Sequence, residues 1–135
     1  MTATRWERVR GPVLVIGGLA AATLALHLRD PHQHGSWGLC PSAALGIYCP
    51  GCGGLRAVND LTNGDLAGAA SSNLLFVVLM PAIIALLVLW AADRWSGRSR
   101  HIDGRRARAT LVGIGVVAVV FTVLRNLPMG AWLAP

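Results

Sequence analysis

The chain has 135 residues, of which 54% are hydrophobic and 13% are charged, and its formal net charge is +6. Soluble globular domains carry about 25% charged residues, and a domain of this size has too little interior to bury so much apolar surface. The composition therefore excludes an ordinary small soluble domain. The basic residues are all arginines beside apolar runs, which favours a role in membrane topology over nucleic-acid binding.

Three apolar runs, residues 12–28, 73–92 and 109–127, are long enough to cross a bilayer. A hydrocarbon core of about 30 Å requires about 20 apolar residues, and backbone groups in lipid must be paired internally, so each run is expected to be helical. Pro81 is expected to kink the second helix because proline removes a backbone donor. The predicted fold is an all-α integral membrane protein with three transmembrane helices, and residues 1–135 form a single membrane domain.

The distribution of arginine predicts the orientation of the chain. Nine arginines precede the first run or lie in the basic loop 93–108, whereas Arg29, Arg56 and Arg125 lie on the other side. Because arginine is enriched in cytoplasmic loops, the N-terminus and the basic loop are expected in the cytoplasm. The segment 29–72 and the C-terminus are then extracytoplasmic. The first run lacks a convincing cleavage site, so we expect it to be an uncleaved signal anchor.

Two short helices are predicted in the outer segment. The first covers about Leu55 to Leu61 and ends at Asn63-Gly64, because glycine accepts the left-handed conformation at a helix C-terminus. Asp65 is placed to cap a second short helix that continues to about Ala70. These interfacial helices would lie between the first and second transmembrane spans.

Arg56 and Arg125 are the two arginines that sequence places near the outer interface. Arg56 lies four residues before Asp60 and near Asp65, which favours a local ion pair between the two short helices. The alternative is a site for an anion or a lipid headgroup formed by Arg56 together with Arg125, because an arginine near the end of a span reaches the interface.

The three cysteines, Cys40, Cys49 and Cys52, all lie in the outer segment. Cys49 and Cys52 have the spacing of a redox pair, half a zinc site or a local disulfide. An oxidising compartment favours a structural disulfide, although the spacing does not choose the pair. A metal site completed by His32 or His34 and a pair of exchange-active thiols are the alternatives.

No ionisable residue lies within the spans between the two interfaces. Proton relays and ion pathways require such groups, so a transporter or pump acting alone is not expected. The first and third spans instead contain small residues, including Gly17, Gly18, Gly113 and Gly115. Small residues allow helices to approach closely, within the chain or against a partner.

The outer segment also contains a longer motif, Cys49-Pro50-x-Cys52-Gly53-x-x-Arg56-Ala57, followed by Asn63-Gly64-Asp65, Ala69 and Asn73. This motif resembles a family of small bacterial membrane proteins known as domain of unknown function 2752, whose pattern is CPxCGxTRA and then HGDxxxAxxxN. The chain differs from the pattern at Leu55 and Asn63. The resemblance covers about Cys40 to Pro81. It implies a multi-pass protein of the bacterial plasma membrane and no particular activity.

Small actinobacterial proteins of this kind resemble accessory subunits of the cytochrome bcc–aa₃ respiratory supercomplex, and the absence of lysine is compatible with such a source. We therefore expect a non-catalytic accessory subunit that packs against other membrane subunits and the bilayer. It is expected to bind no cofactor, metal, nucleic acid or small-molecule substrate. The alternatives are a membrane thiol–disulfide exchange protein that uses Cys49 and Cys52, and a Cys₃His metal-binding module.

Overall fold

A computed structural model describes residues 4–33, 41–98 and 103–134. This part of the chain is helical and contains no strand. Its elements are α1 (Arg5–Leu28), α2 (Pro41–Ala44), α3 (Gly54–Thr62), α4 (Leu66–Ser96), α5 (Gly104–Arg125) and a 3₁₀ helix (Pro128–Leu133). Helices α1, α4 and α5 are long and apolar enough to span a membrane. The predicted all-α fold with three membrane-spanning helices is confirmed.

Helix α1 begins seven residues before the apolar run because its N-terminus is capped. The hydroxyl of Thr4 accepts a hydrogen bond from the Glu7 amide at 3.3 Å, and the Glu7 carboxylate accepts one from the Thr4 amide at 2.7 Å. This reciprocal capping box satisfies two of the amides that a helix N-terminus leaves unpaired. The helix therefore carries a polar first turn in front of its apolar body.

The turn between α3 and α4 agrees with the sequence prediction. Gly64 has φ +79°, and its amide donates to the Leu61 carbonyl at 3.2 Å, while the Asp65 amide donates to the Asp60 carbonyl at 2.9 Å. This pair of bonds is a Schellman motif, which requires the left-handed residue that glycine supplies. The Asp65 carboxylate then caps α4 by accepting from the Gly68 amide at 2.7 Å.

Helix α4 contains a break at Asn73, whose φ of −160° and ψ of 91° are not helical. The second short helix predicted after Asp65 is therefore the first part of α4, and it runs into the membrane-spanning part through Asn73. Pro81 lies within α4, where the backbone remains helical. A kink was expected at Pro81, but the residue with non-helical backbone angles in α4 is Asn73. The break occurs at Asn73 because its side chain caps the following turn in place of the helical hydrogen-bond pattern.

Helices α1 and α4 pack against each other as an antiparallel pair. Near the N-terminus of α1, Gly11 lies against the ring of Trp90, and the Arg5 guanidinium lies 4.9 Å from the centroid of the Trp95 ring. At the opposite end, the Asn59 side chain on α3 donates to the Leu26 carbonyl at 2.7 Å. Contacts therefore hold α1 at both ends, to α4 at one end and to α3 at the other.

Helix α5 contacts the rest of the protein mainly through its C-terminal end. It does not pack closely along α1 or α4, whereas the 3₁₀ helix that follows α5 contacts both α5 and α4. An apolar groove of about 350 Å³ separates α4 from α5 and is lined by Leu74, Leu75, Val78, Val116, Val117, Val120, Phe121 and Leu124. The three spans thus form one close pair and one helix set apart.

The 3₁₀ helix folds back tightly against α5 at Gly130, which is buried. A Cβ atom at this position would collide with the backbone carbonyl of Leu124. Backbone atoms cannot move aside as a flexible side chain would, so only glycine fits at this contact.

We predict that Gly130→Ala lowers the stability of the folded protein by about 1–3 kcal/mol, because overpacking displaces backbone. Thermal unfolding of the purified protein in detergent, followed by circular dichroism, measures the change in Tm. Gly113→Ala on α5 is the matched control, because a Cβ there meets nothing within 4 Å. An unchanged Tm for Gly130→Ala would show that the 3₁₀ helix is not fixed by this contact.

Candidate functional site

Asp60 on α3 connects three parts of the chain beneath the cysteines. It is buried, and its two carboxylate oxygens accept hydrogen bonds from His32 Nε2 at 2.7 Å and from the Ser72 hydroxyl at 2.8 Å. The predicted ion pair between Arg56 and Asp60 is therefore wrong. The carboxylate is occupied by partners that lie 28 and 12 residues away in the sequence, which no local spacing reveals.

Cys49 and Cys52 lie on a tight turn in front of α3, which we call the cysteine loop (residues 48–53). Their sulfur atoms are 3.1 Å apart, in hydrogen-bond contact and not joined to each other, and the Cys49 amide donates to Cys52 Sγ at 3.2 Å. The Cys52 amide donates to the Cys49 carbonyl at 3.1 Å, which closes the turn. Gly53, with φ +79°, then directs the chain into α3.

The two thiols have different surroundings. Cys52 is buried, with 5% of its surface exposed, whereas Cys49 is half-buried. The hydrogen bond from Cys52, assisted by the Ser42 hydroxyl, lowers the pKa of the Cys49 thiol, and burial opposes this effect to a smaller extent. The thiolate is the nucleophilic form of cysteine, so the lowered pKa and the greater exposure of Cys49 both favour its reaction with a substrate.

Asn73 joins the break in α4 to the cysteine loop. Its side-chain amide nitrogen donates to the Pro50 carbonyl at 2.9 Å and to the Cys52 carbonyl at 3.0 Å, and its side-chain oxygen accepts from the Phe76 amide at 2.9 Å. Asn73 is completely buried. All three bonds are therefore made inside the protein, where an unpaired polar group is costly.

Arg125 holds the cysteine loop from the other side. Its Nη1 donates to the Cys49 carbonyl at 2.9 Å and to the Cys52 carbonyl at 3.1 Å, and only 1% of the residue is exposed. The guanidinium lies 4.9 Å from the centroid of the Phe121 ring and 5.8 Å from that of Tyr48. Its Nε and Nη2 are buried and have no hydrogen-bond acceptor in the part of the chain that the structure describes.

Asn126 adds a second connection between α5 and the loop. Its side-chain oxygen accepts from the Tyr48 amide at 2.9 Å, and its side-chain nitrogen donates to the Tyr48 carbonyl at the same distance. From the sequence, Arg125 is expected at an anion or lipid site together with Arg56, and no contact with the cysteine loop is predicted. Arg125 and Asn126 interrupt the third apolar run. That interruption was the available signal, since a polar pair inside an apolar run needs polar partners.

The structure places the other predicted site residues as follows. Arg56 is half-buried on α3 and forms no ion pair with the described residues, and Arg125 faces the cysteine loop. The anion or lipid contact predicted for these two arginines stays a prediction.

Cys40 and His34 lie outside the described residues, so the cysteine pairing also stays a prediction. Within the described residues, no three His, Cys, Asp or Glu side chains are grouped to hold a metal ion.

Residues 40–87 match the family model described as protein of unknown function (DUF2752). The resemblance expected from the motif is confirmed over this segment, which contains the cysteine loop, α3 and the larger part of α4. Helices α1 and α5 lie outside the match, and with them Arg125. Searches among curated proteins and among solved structures gave no match.

Most of the motif residues in the DUF2752 segment have an evident structural role. Gly53 and Gly64 adopt positive φ, Asp65 caps α4 and Asn73 binds the loop carbonyls. Ala57, like Ala69 of the same motif, is completely buried, so a larger side chain would not fit. The motif therefore specifies the turn that presents the two thiols, together with the helices that support it.

We predict that Asn73→Ala destabilises the protein by about 2–4 kcal/mol, because it removes a helix cap and the hydrogen bonds to the Pro50 and Cys52 carbonyls. Thermal unfolding in detergent measures this loss. Ser71→Ala is the control on the same helix, because Ser71 is exposed and bonds only the Gly68 carbonyl of its own helix. Equal Tm values for the two variants would contradict the structural role of Asn73.

Proposed function

We propose that this chain is an accessory subunit whose spans pack against a larger membrane complex. The observation that supports the proposal is the small extent to which the three spans cover one another. In the most apolar part of each helix, the buried share is 11% for α1, 0% for α4 and 6% for α5. These helix faces must be covered by lipid or by the spans of other subunits.

Two features favour other protein spans over lipid alone. Among the described residues, helix α5 is held mainly near its C-terminal end, and most of its length does not pack closely against α1 or α4. The small residues of the spans are also unused, because a Cβ atom at Gly17, Gly18, Gly113 or Gly115 would meet nothing within 4 Å. Small residues favour close approach of helices, and these positions contribute nothing to packing inside this chain.

The complex that we propose is the cytochrome bcc–aa₃ respiratory supercomplex of the bacterial plasma membrane. The resemblance of the chain to small actinobacterial proteins and its lysine-free composition support this choice. The proposed orientation follows the arginine distribution, with the N-terminus and the basic loop 93–108 in the cytoplasm and the cysteine loop outside. In this arrangement the helices pack in the membrane while the cysteine loop lies at the outer surface.

We predict that the tagged protein, extracted from its native membrane in a mild detergent, is recovered with stoichiometric amounts of larger membrane subunits. Mass spectrometry identifies those subunits. Gly113→Leu and Gly115→Leu are expected to reduce their recovery, at least tenfold for one of the two, because leucine blocks close approach on two faces of α5. Val119→Leu is the control, since it adds one methylene to an exposed valine of the same helix.

Recovery of the chain by itself in several mild detergents would contradict the accessory role. Recovery with subunits of a different membrane complex would retain the packing role and contradict the assignment to the respiratory supercomplex. Each glycine variant must have the Tm of the wild-type protein, so that loss of partners reports on the interface.

A further inference from the structure

We propose that the cysteine loop is a thiol–disulfide exchange site in which Cys49 attacks a substrate disulfide, Cys52 resolves the mixed disulfide and Arg125 is a positioning residue. The substrate class is an accessible disulfide, in a protein or in a small thiol compound. This activity goes beyond the proposed packing role, because it uses the loop and leaves the apolar helix faces available. It would replace the expectation that the subunit is non-catalytic.

The arrangement of the two sulfurs matches the order of events in such an exchange. Cys49 is the more accessible thiol, and the hydrogen bond from Cys52 favours its thiolate form. Cys52 lies behind it, 3.1 Å away, so a small rotation brings the sulfurs to the disulfide distance of about 2.05 Å. The outer thiol thus meets the substrate and the buried thiol attacks second.

Arg125 supplies a positive charge that has no acidic partner in the described residues. Its Nη1 binds two carbonyl oxygens, which are neutral, while Nε and Nη2 remain unpaired. Nε and Nη2 form one edge of the guanidinium, the edge that binds an anion through two parallel bonds. A buried charge without a counter-charge is costly. Among the described residues, Arg125 Nη1 binds the carbonyls of Cys49 and Cys52, so a thiolate of either residue would place a counter-charge close to the guanidinium.

The backbone of the loop is fixed before any reaction takes place. Four carbonyls, those of residues 49–52, accept hydrogen bonds from the Cys52 and Gly54 amides, from Asn73 or from Arg125. A fixed backbone keeps the sulfurs in contact, which lowers the entropic cost of bringing them together in the second step. Asn73 and Arg125 are therefore positioning residues that act through the loop.

The exchange balances as two substitutions at sulfur. The Cys49 thiolate attacks one sulfur of the substrate disulfide, forms a mixed disulfide and releases the other sulfur as a thiolate. Cys52 loses its proton to that thiolate or to water and attacks Cys49 Sγ, which releases the second substrate thiol. The substrate gains two electrons and the loop becomes a Cys49–Cys52 disulfide. A dithiol reductant in the same compartment returns the loop to its dithiol form by the reverse steps.

The first test uses the full chain in detergent, reduced with dithiothreitol, freed of reductant and exposed to oxidised glutathione. After acid quenching and alkylation, peptide fragmentation locates every disulfide. We expect a Cys49–Cys52 disulfide in the wild-type protein and glutathione attached to Cys49 in Cys52→Ser. Glutathione on another cysteine, or no reaction within hours at neutral pH, would overturn the assignment of Cys49. A Cys40–Cys49 disulfide in Cys52→Ser that forms as fast as the wild-type disulfide would overturn the assignment of Cys52.

The second test asks whether Arg125 acts on Cys49 through its positive charge or through its hydrogen bonds to the loop. The rate of Cys49 alkylation by iodoacetamide is measured against pH for Arg125→Gln, which keeps a donor for the loop carbonyls, and for Arg125→Lys, which keeps the charge. We expect the glutamine variant to react about tenfold more slowly at pH 7, because loss of the positive charge raises the pKa of Cys49, and the lysine variant to recover most of the rate. Arg108→Gln, on the exposed far end of α5, is the matched control.

Equal pH profiles for the wild type and Arg125→Gln would overturn the electrostatic role of Arg125. Equal slowing in the glutamine and lysine variants would also overturn the electrostatic role, because the lysine variant keeps the positive charge. The slowing would then come from loss of the guanidinium geometry. Copurification of the Cys49→Ser variant with its partner subunits tests the accessory role separately. If the protein retains its partner subunits but shows no exchange, the exchange proposal has failed. If it shows exchange but recovers no partner subunits, the accessory role has failed.

Discussion

The structure of the cysteine end depends on the way two buried side chains, Asn73 and Arg125, share the carbonyl oxygen of Cys52. One comes from the break in α4 and the other from the last residue of α5, so the loop is the point at which two spans are joined. Few other contacts hold α5 to the protein. Removing either side chain would break two hydrogen bonds between a span and the loop, and removing Asn73 would also take from the Pro50 carbonyl its hydrogen bond.

Outside the cysteine loop, the three spans bury only a small share of their apolar residues within the protein. Helices α1 and α4 pack together, and the polar contacts of Asn59 and Asp60 fix their ends through α3. A small protein in water could not leave so many apolar side chains uncovered, but lipid and neighbouring spans cover them in a membrane. Stability is therefore concentrated at the loop end, while the middle of each helix remains available for contacts outside the chain.

Sequence patterns predicted the features that depend on local chemistry. The apolar runs gave the three spans, and Gly64 and Asp65 gave the turn into α4, because a left-handed residue and a capping carboxylate act within a few residues. The contacts that sequence patterns did not predict depend on distant partners. Asp60 pairs with His32 and Ser72 instead of Arg56, and Arg125 faces a loop 73 to 76 residues before it. No periodicity in the sequence encodes such contacts.

The hydrogen bonds of Arg125 also determine how the chain sits in the bilayer. Arg125 and Asn73 bind the same carbonyl, so they lie at one depth, and the helix break at Asn73 is tolerated there because its polar groups are paired inside the protein. Between Arg108 and Arg125, α5 has 16 residues without charge, or about 24 Å of helix, against a hydrocarbon core of about 30 Å. The membrane around α5 must therefore be thinned, or its basic side chains must extend outward to the interface. Hydrophobic mismatch of this kind favours association with neighbouring spans of similar length.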